Sequence, residues 1–321
     1  MRTTASSRHG EARVGVTEPR PNFFIVGAPR CGTTAMYEYL RQHPDVYMPY
    51  RKEPVYFGSD LTKRQPPMTE AEYLALFRPG AGRRRLGEAT VWYLYSQTAP
   101  AEIQAFSPDP RIIIMLRNPV DMMYSLHSQL FFSANEDIAD FGEAIAAEED
   151  RRQGRRMPPR ARRPEGLQYR ACGRYAAHVR RYLEAFGPDA VRVIIYDDFS
   201  ADPAASYRGT LEFLGVDPTF QPDLSIVNRS KAPRSRWLQQ LTYAPWFMRT
   251  TARLPKAANH AIRRSLKRLN FKEQPRTVLN PALRAALTLE MAPDVAELGE
   301  VLGRDLSQWS APPAPRPVAA G

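Results

Sequence analysis

Phe24-Ile25-Val26-Gly27-Ala28-Pro29-Arg30-Cys31-Gly32-Thr33-Thr34-Ala35-Met36-Tyr37-Glu38-Tyr39-Leu40 runs from a short apolar stretch, through a turn with two glycines, into an amphipathic helical pattern. Strand, turn and helix in that order aim several backbone N–H groups at one point, at the positive end of the helix dipole. That is an anion site, and phosphate is its usual occupant. Gly27 and Gly32 permit the tight turn and a close approach of the backbone, while Thr33 and Thr34 add hydroxyl donors and can cap the helix. The two glycines have the spacing of a nucleotide phosphate loop, but Thr33 stands where such a loop carries its lysine. The loop's own cation is Arg30, with Cys31 beside it.

Working outward, Phe23–Val26, Arg111–Leu116 and Val191–Tyr196 are continuous apolar runs rich in β-branched residues. Such runs suit strands buried on both faces of a parallel sheet. Helical patterns fill the intervals, at about 34–42, 97–106, 119–131, 138–152, 168–186 and 203–214. The alternation predicts βαβ units and an α/β fold, a P-loop-like three-layer arrangement with a central parallel sheet flanked by helices. A single domain is expected over 21–310, between polar or Pro/Ala-rich tails at 1–20 and 311–321 that read as disordered.

Composition bounds the function. The chain has 321 residues, 43% of them hydrophobic, 25% charged, and a net charge of +11. No apolar run of 18 residues occurs, so a spanning helix is not expected. Cys31 and Cys172 are the two cysteines, too few for a disulfide scaffold or a four-cysteine zinc site. The five histidines are scattered, so no metal is expected. The positive surplus points to an anionic partner. Seven arginines and three prolines crowd 151–164, at the head of a segment extending to 166. That stretch reads as a solvated loop, with a lid or an anion-facing surface as the sharper alternative.

A second strand-turn-helix signal lies at Ile112-Ile113-Ile114-Met115-Leu116-Arg117-Asn118-Pro119-Val120-Asp121-Met122-Met123-Tyr124-Ser125. Arg117 ends the strand, on the ligand edge of an open α/β sheet, and Pro119 suits a first helical turn. Ser125 falls about one and a half turns into that helix, where its hydroxyl can meet the same ligand.

The loop Gly27-Ala28-Pro29-Arg30-Cys31-Gly32-Thr33-Thr34 closely resembles the 5′-phosphosulfate-binding loop of sulfotransferases that use 3′-phosphoadenylyl sulfate (PAPS). Many members carry Lys at the position of Arg30. The resemblance implies that Arg30, the Thr33 and Thr34 hydroxyls and the amides of 30–34, including Cys31 and Gly32, hold the phosphosulfate. It implies that Arg117 and Ser125 hold the 3′-phosphate. His43-Pro44, followed by Lys52-Glu53-Pro54-Val55-Tyr56-Phe57, resembles the heparan-sulfate-type and bacterial members. Their catalytic base lands on Glu53, and Val55 replaces their usual His. His43 reads as a structural support of the helix end. Gly87–Tyr93 resembles the family's substrate-side segment. Its Glu88 is either buried beside a cation or a second base. Tyr175 matches a tyrosine near the nucleotide. Lys231 and Arg234 sit where members place a basic loop over the 3′-phosphate and adenine. Trp309 closes the domain by packing back.

The expected reaction is an in-line sulfuryl transfer from PAPS to a hydroxyl or amine, leaning toward a carbohydrate. Glu53 serves as general base, and preorganised donors meet the charge on the leaving phosphate. Small-molecule or glycan acceptors are expected, with no nucleic-acid partner and a cytoplasmic location. Two other readings stay open. A P-loop kinase or NTPase needs a magnesium-binding Asp after a strand, a part that Asp197 and Asp198 imitate. A non-enzymatic anion binder is favoured by the arginine-rich stretch, although stacking aromatics are not interleaved with it.

Overall fold

The computed structural model describes residues 18–62, 67–225, 231–233, 271–273 and 278–311, with the two three-residue pieces described as backbone alone. Strand β1 (Phe23–Gly27) occupies the middle of a five-stranded sheet. The others are β2 (Val46–Tyr47), β3 (Arg85–Ala89), β4 (Arg111–Leu116) and β5 (Val191–Ile195), in the spatial order β2-β3-β1-β4-β5. Every pairing in it is parallel. Phe23 to Val26 and Ile112 to Leu116 are fully buried. Each such side chain contributes roughly 1.5–3 kcal/mol by leaving water. The expected three-layer α/β fold is what the chain adopts.

Helices flank the sheet. They are α1 (Thr33–Leu40), α2 (Glu70–Ala75), α3 (Ala99–Phe106), α4 (Pro119–Phe132), α5 (Phe141–Ala146), α6 (Glu148–Arg152), α7 (Tyr169–Gly173), α8 (Ala176–Phe186), α9 (Tyr196–Ala201), α10 (Pro203–Leu214) and α11 (Pro281–Leu302). The helix expected over 168–186 is broken between α7 and α8. The cause is remote: Asp294 of α11 accepts the Tyr175 amide at 2.7 Å and caps α8 from a neighbouring helix. The pattern over 138–152 likewise divides, at Ala147. Lys231–Pro233 pairs antiparallel with Phe271–Glu273 as a separate two-stranded ribbon.

The run 151–164 departs from a purely solvated loop. Arg151 is buried, and its guanidinium grips both oxygens of buried Glu136 at 2.6 and 2.7 Å. Tyr169 donates to the same carboxylate at 2.7 Å. This ring of contacts anchors the start of the stretch, while Arg152, Arg155, Arg156 and Arg162 are exposed.

Candidate functional site

The chain leaves β1 toward β3 on one side and takes up β4 and β5 on the other, so the strand order reverses around β1. A ligand crevice is expected there, at the C-terminal ends of the strands. The loop after β1 is pinned where it begins: the Ala28 amide donates to the Met115 carbonyl of β4 at 2.7 Å. A Cβ on Gly27 would stand 2.6 Å from Leu94 Cβ. Gly32 has φ +90° and forms the N-cap of α1, with the Phe199 ring 3.0 Å from where its Cβ would lie. Glycine is required at both positions. The Thr33 and Thr34 amides, at the start of α1, have no intrahelical acceptor, while the Ala35 amide donates to the Gly32 carbonyl at 2.9 Å.

Two loop side chains reach outward to other elements. Arg30, with φ +64°, donates from Nε to the Ser125 hydroxyl at 2.9 Å. Ser125 lies buried on α4, so the contact joins the two motifs across 95 residues. Thr34 accepts from Lys52 Nζ at 2.6 Å. Thr33 opens α1 and is buried. Cys31 is fully buried, its Sγ 3.4 Å from the Pro29 carbonyl, and burial pushes its thiol up to about 12. It is therefore held as a thiol and not as a thiolate.

Arg117 leaves the end of β4 with its side chain 18% exposed. Its guanidinium lies over the Tyr196 ring at 4.8 Å, and its Nη2 approaches Asp121 at 3.4 Å. The other Asp121 oxygen is held by Arg284 of α11. Tyr175 is fully buried behind the loop, within electrostatic reach of Cys31. Its hydroxyl faces the Cys31 thiol. Lys231 is described as backbone alone, and Arg234 lies outside the described residues.

Glu53 follows Lys52, the residue whose ammonium reaches Thr34 of the loop. The Glu53 amide donates to the Ala89 carbonyl at the end of β3, at 3.0 Å. Burial raises its carboxyl above the ordinary range, opposed by the positive charges of Lys52 and Arg163. Burial also lowers the Lys52 ammonium. Glu53 and Val55 both have φ +57°, which is strained for a β-branched residue and costs of order 1–3 kcal/mol. The His expected at that position is a residue type that tolerates this backbone far better.

Arg163 was not singled out from the sequence. It lies within the arginine run, yet its guanidinium sits 5.7 Å over the Trp92 ring and 3.4 Å from the Thr62 carbonyl. Beside it, Glu165 accepts the Thr62 amide at 2.8 Å, which ties the end of the run to the Glu53 side of the crevice. Lys52 has no role that the sequence motif assigns. Its adjacency to Glu53 and the empty lysine position in the loop were the available signals.

Glu88 differs from the expectation of a cation partner. It is fully buried on β3 and accepts from Tyr73 and, at 2.6 Å, from Thr90. It makes no ion pair among the described residues, and burial raises its carboxyl. No oxygen of it is open to a substrate. His43 is structural as expected: Nδ1 accepts the Asp45 amide and Nε2 donates to the Asp217 carbonyl, both at 3.0 Å. Asp197 and Asp198, the imitators of a magnesium-binding Asp, are engaged otherwise. Asp197 accepts from Trp309 Nε1 at 2.7 Å, which packs Trp309 back onto the domain, and Asp198 is gripped by Arg304.

The sulfotransferase domain matches residues 20–245 of this chain. A solved sulfotransferase from Alicyclobacillus acidocaldarius is 33% identical with a TM-score of 0.70, over 91% of this chain and 100% of that one. Carbohydrate sulfotransferase 15 of Rattus norvegicus is 25% identical over 288 residues, 70% of this chain and 49% of that protein. Bifunctional heparan sulfate N-deacetylase/N-sulfotransferase 3 of Homo sapiens is 28% identical over 209 residues, 62% of this chain and 23% of that protein. The chain thus spans half or less of the length of these curated relatives. It belongs to the sulfotransferase family.

Proposed function

We propose that the protein transfers a sulfuryl group from PAPS to a hydroxyl or amine of a carbohydrate acceptor. The observation that carries this reading is the Lys52–Thr34 contact, which ties the segment bearing Glu53 to the anion loop. In this reading an anion cradle and a proton acceptor share one crevice. The donor carries negative charge at both ends, and the crevice has a cationic station for each: Arg30 with Lys52 at the loop, and Arg117 at the end of β4. The relatives named for carbohydrate and heparan sulfate sulfation support the acceptor class.

In this mechanism the loop amides, Arg30 and Lys52 hold the phosphosulfate, and Arg117 with Ser125 holds the 3′-phosphate. When bound, the donor supplies the sulfuryl group. Glu53 takes the acceptor's proton while the acceptor–sulfur bond forms and the bond from sulfur to the 5′-phosphate oxygen breaks. The negative charge then left on the phosphate is met by dipoles and cations already in place. Arg30 acts as a fixed charge, because a guanidinium does not release its proton in this range. Lys52 is the loop cation whose proton burial loosens.

The test is a labelled-sulfate transfer screen from PAPS against carbohydrate, phenol, lipid and amine acceptors. Binding of adenosine 3′,5′-bisphosphate is measured on the same preparation. Label entering a carbohydrate, independent of magnesium and ATP, is the expected result. Magnesium-dependent ATP hydrolysis with no transfer to any acceptor overturns it.

A further inference from the structure

Two helices of this fold begin in the same way. Asn118-Pro119 opens α4 and Asn280-Pro281 opens α11. In each, the Asn side chain accepts two first-turn amides: Val120 and Asp121 at 3.0 and 3.3 Å, Ala282 and Leu283 at 2.9 and 3.3 Å. Caps of this kind fix the entry of a helix and the direction of its first side chains. The first turn of α4 carries Asp121, and that of α11 carries Arg284. The two meet at a cavity of about 380 Å³, lined also by Asn118, Asp197 and Trp309.

The contact is asymmetric. One oxygen of Asp121 lies tight against Arg284, while the other is 3.4 Å from Arg117. All three side chains are partly buried, 33% exposed for Asp121, 21% for Arg284 and 18% for Arg117, so their charges are weakly screened. A carboxylate and a guanidinium readily form a two-pronged pair. Without a competitor, Asp121 in the first turn of α4 would occupy the fork of Arg117, which stands just before the Asn118 cap of that helix and already touches it.

We propose that Arg284 is a positioning residue for the donor site: it holds Asp121 to a single long contact with Arg117 and so keeps the rest of that guanidinium for the donor's 3′-phosphate. This rests on the reading that Arg117 receives the 3′-phosphate. Asp121 is the internal counter-ion, and Arg284 sets how much of it Arg117 meets. Removing Arg284 lets Asp121 collapse onto Arg117. Removing the charge of Asp121 makes Arg284 dispensable for binding.

The experiment is a titration of the full chain with adenosine 3′,5′-bisphosphate and, in parallel, with adenosine 5′-monophosphate, which lacks the 3′-phosphate. The proteins are the parent chain, Arg284→Gln, Arg284→Lys, Asp121→Asn and the Asp121→Asn/Arg284→Gln pair. The parent is expected to prefer the bisphosphate. Arg284→Gln is expected to lose about tenfold in bisphosphate affinity and nothing toward the monophosphate. Arg284→Lys should recover part of that loss, and the double variant should recover nearly all of it. A merely structural Arg284 would lower affinity for both nucleotides together, and Asp121→Asn would not rescue it; either result overturns the inference. Equal bisphosphate affinity in Arg284→Gln and the parent also overturns it. A parent that fails to distinguish the two nucleotides overturns the donor reading itself, a separate outcome visible in the same titration.

Discussion

The loop side of the crevice and its Glu53 side are built by different means. On the loop side, one continuous stretch supplies the turn, the glycines and the helix N-terminus. Its outside contacts, Ala28 to Met115 and Arg30 to Ser125, run to the adjacent strand and the helix that follows it. The Glu53 side is assembled from segments far apart in the chain: Lys52–Val55, the turn at Trp92, and Arg163 at the end of the arginine run. It also holds two left-handed non-glycine residues and a half-buried carboxyl that feels two cations. The difference teaches that binding an anion needs mainly backbone, which local sequence specifies. Poising a base needs charges brought from a distance.

Substitution of Glu53 by Gln should separate the two sides most sharply. Turnover is expected to fall about 10²–10⁴-fold, with bisphosphate affinity unchanged by calorimetry. If turnover persists, the base lies elsewhere. Next in size, Arg117→Ala should weaken bisphosphate binding by roughly tenfold to a hundredfold with an unchanged melting temperature. Binding as tight as the parent's would remove Arg117 from the donor site.

A smaller effect is expected for Arg163→Gln, read in the pH–rate profile. Glu53 must be ionised to accept a proton, and its carboxyl is already raised by burial. The Arg163 cation favours the ionised form, so its loss raises the carboxyl further. The acid limb of the profile should move to higher pH, with Lys52 left to hold the remainder. An unmoved limb would sever the arginine run from the base. Val55→Gly should relieve the left-handed strain and stabilise the fold by about 1 kcal/mol, measured by denaturant unfolding. A loss of stability would show that the Val55 side chain outweighs its backbone.

The smallest effect on turnover is expected at Glu88. Its folded-state pKa is raised, so its stabilising contribution is present below its unfolded pKa and is lost as pH rises through the raised value. Glu88→Gln should keep turnover, and its melting temperature should gain on the parent's as pH increases. A large loss of turnover would reinstate Glu88 as a second base.

The strands at the centre of the sheet were legible because Phe23–Val26 and Arg111–Leu116 are continuous apolar runs. Strand β3, with the sequence Arg-Leu-Gly-Glu-Ala, was not read as a strand. Its Glu88 is masked by hydroxyl partners, and Gly87 makes room for the Phe23 ring. The break before α8 depends on Asp294, more than a hundred residues later, which no local pattern carries. Of the candidate site, the anion loop, Arg117, Ser125 and Glu53 could be nominated because strand, turn and helix signals frame the first three and a short motif frames the fourth. Lys52 and Arg163 take their roles from contacts with Thr34 and Trp92, and those exist only after folding.

The buried pair of Arg151 and Glu136 has a consequence for how this sequence can drift. Arginine abounds throughout the chain, and most arginines between 151 and 163 could be exchanged with little effect on packing. Position 151 is different. A lysine there offers one ammonium where two carboxylate oxygens are gripped, and a neutral side chain strands a buried charge at a cost of about 3–5 kcal/mol. A library randomised at the exposed Arg152, Arg155, Arg156 and Arg162 together with Arg151, and selected for folding, should therefore return near-free variation at the four and arginine at 151, unless Glu136 changes with it.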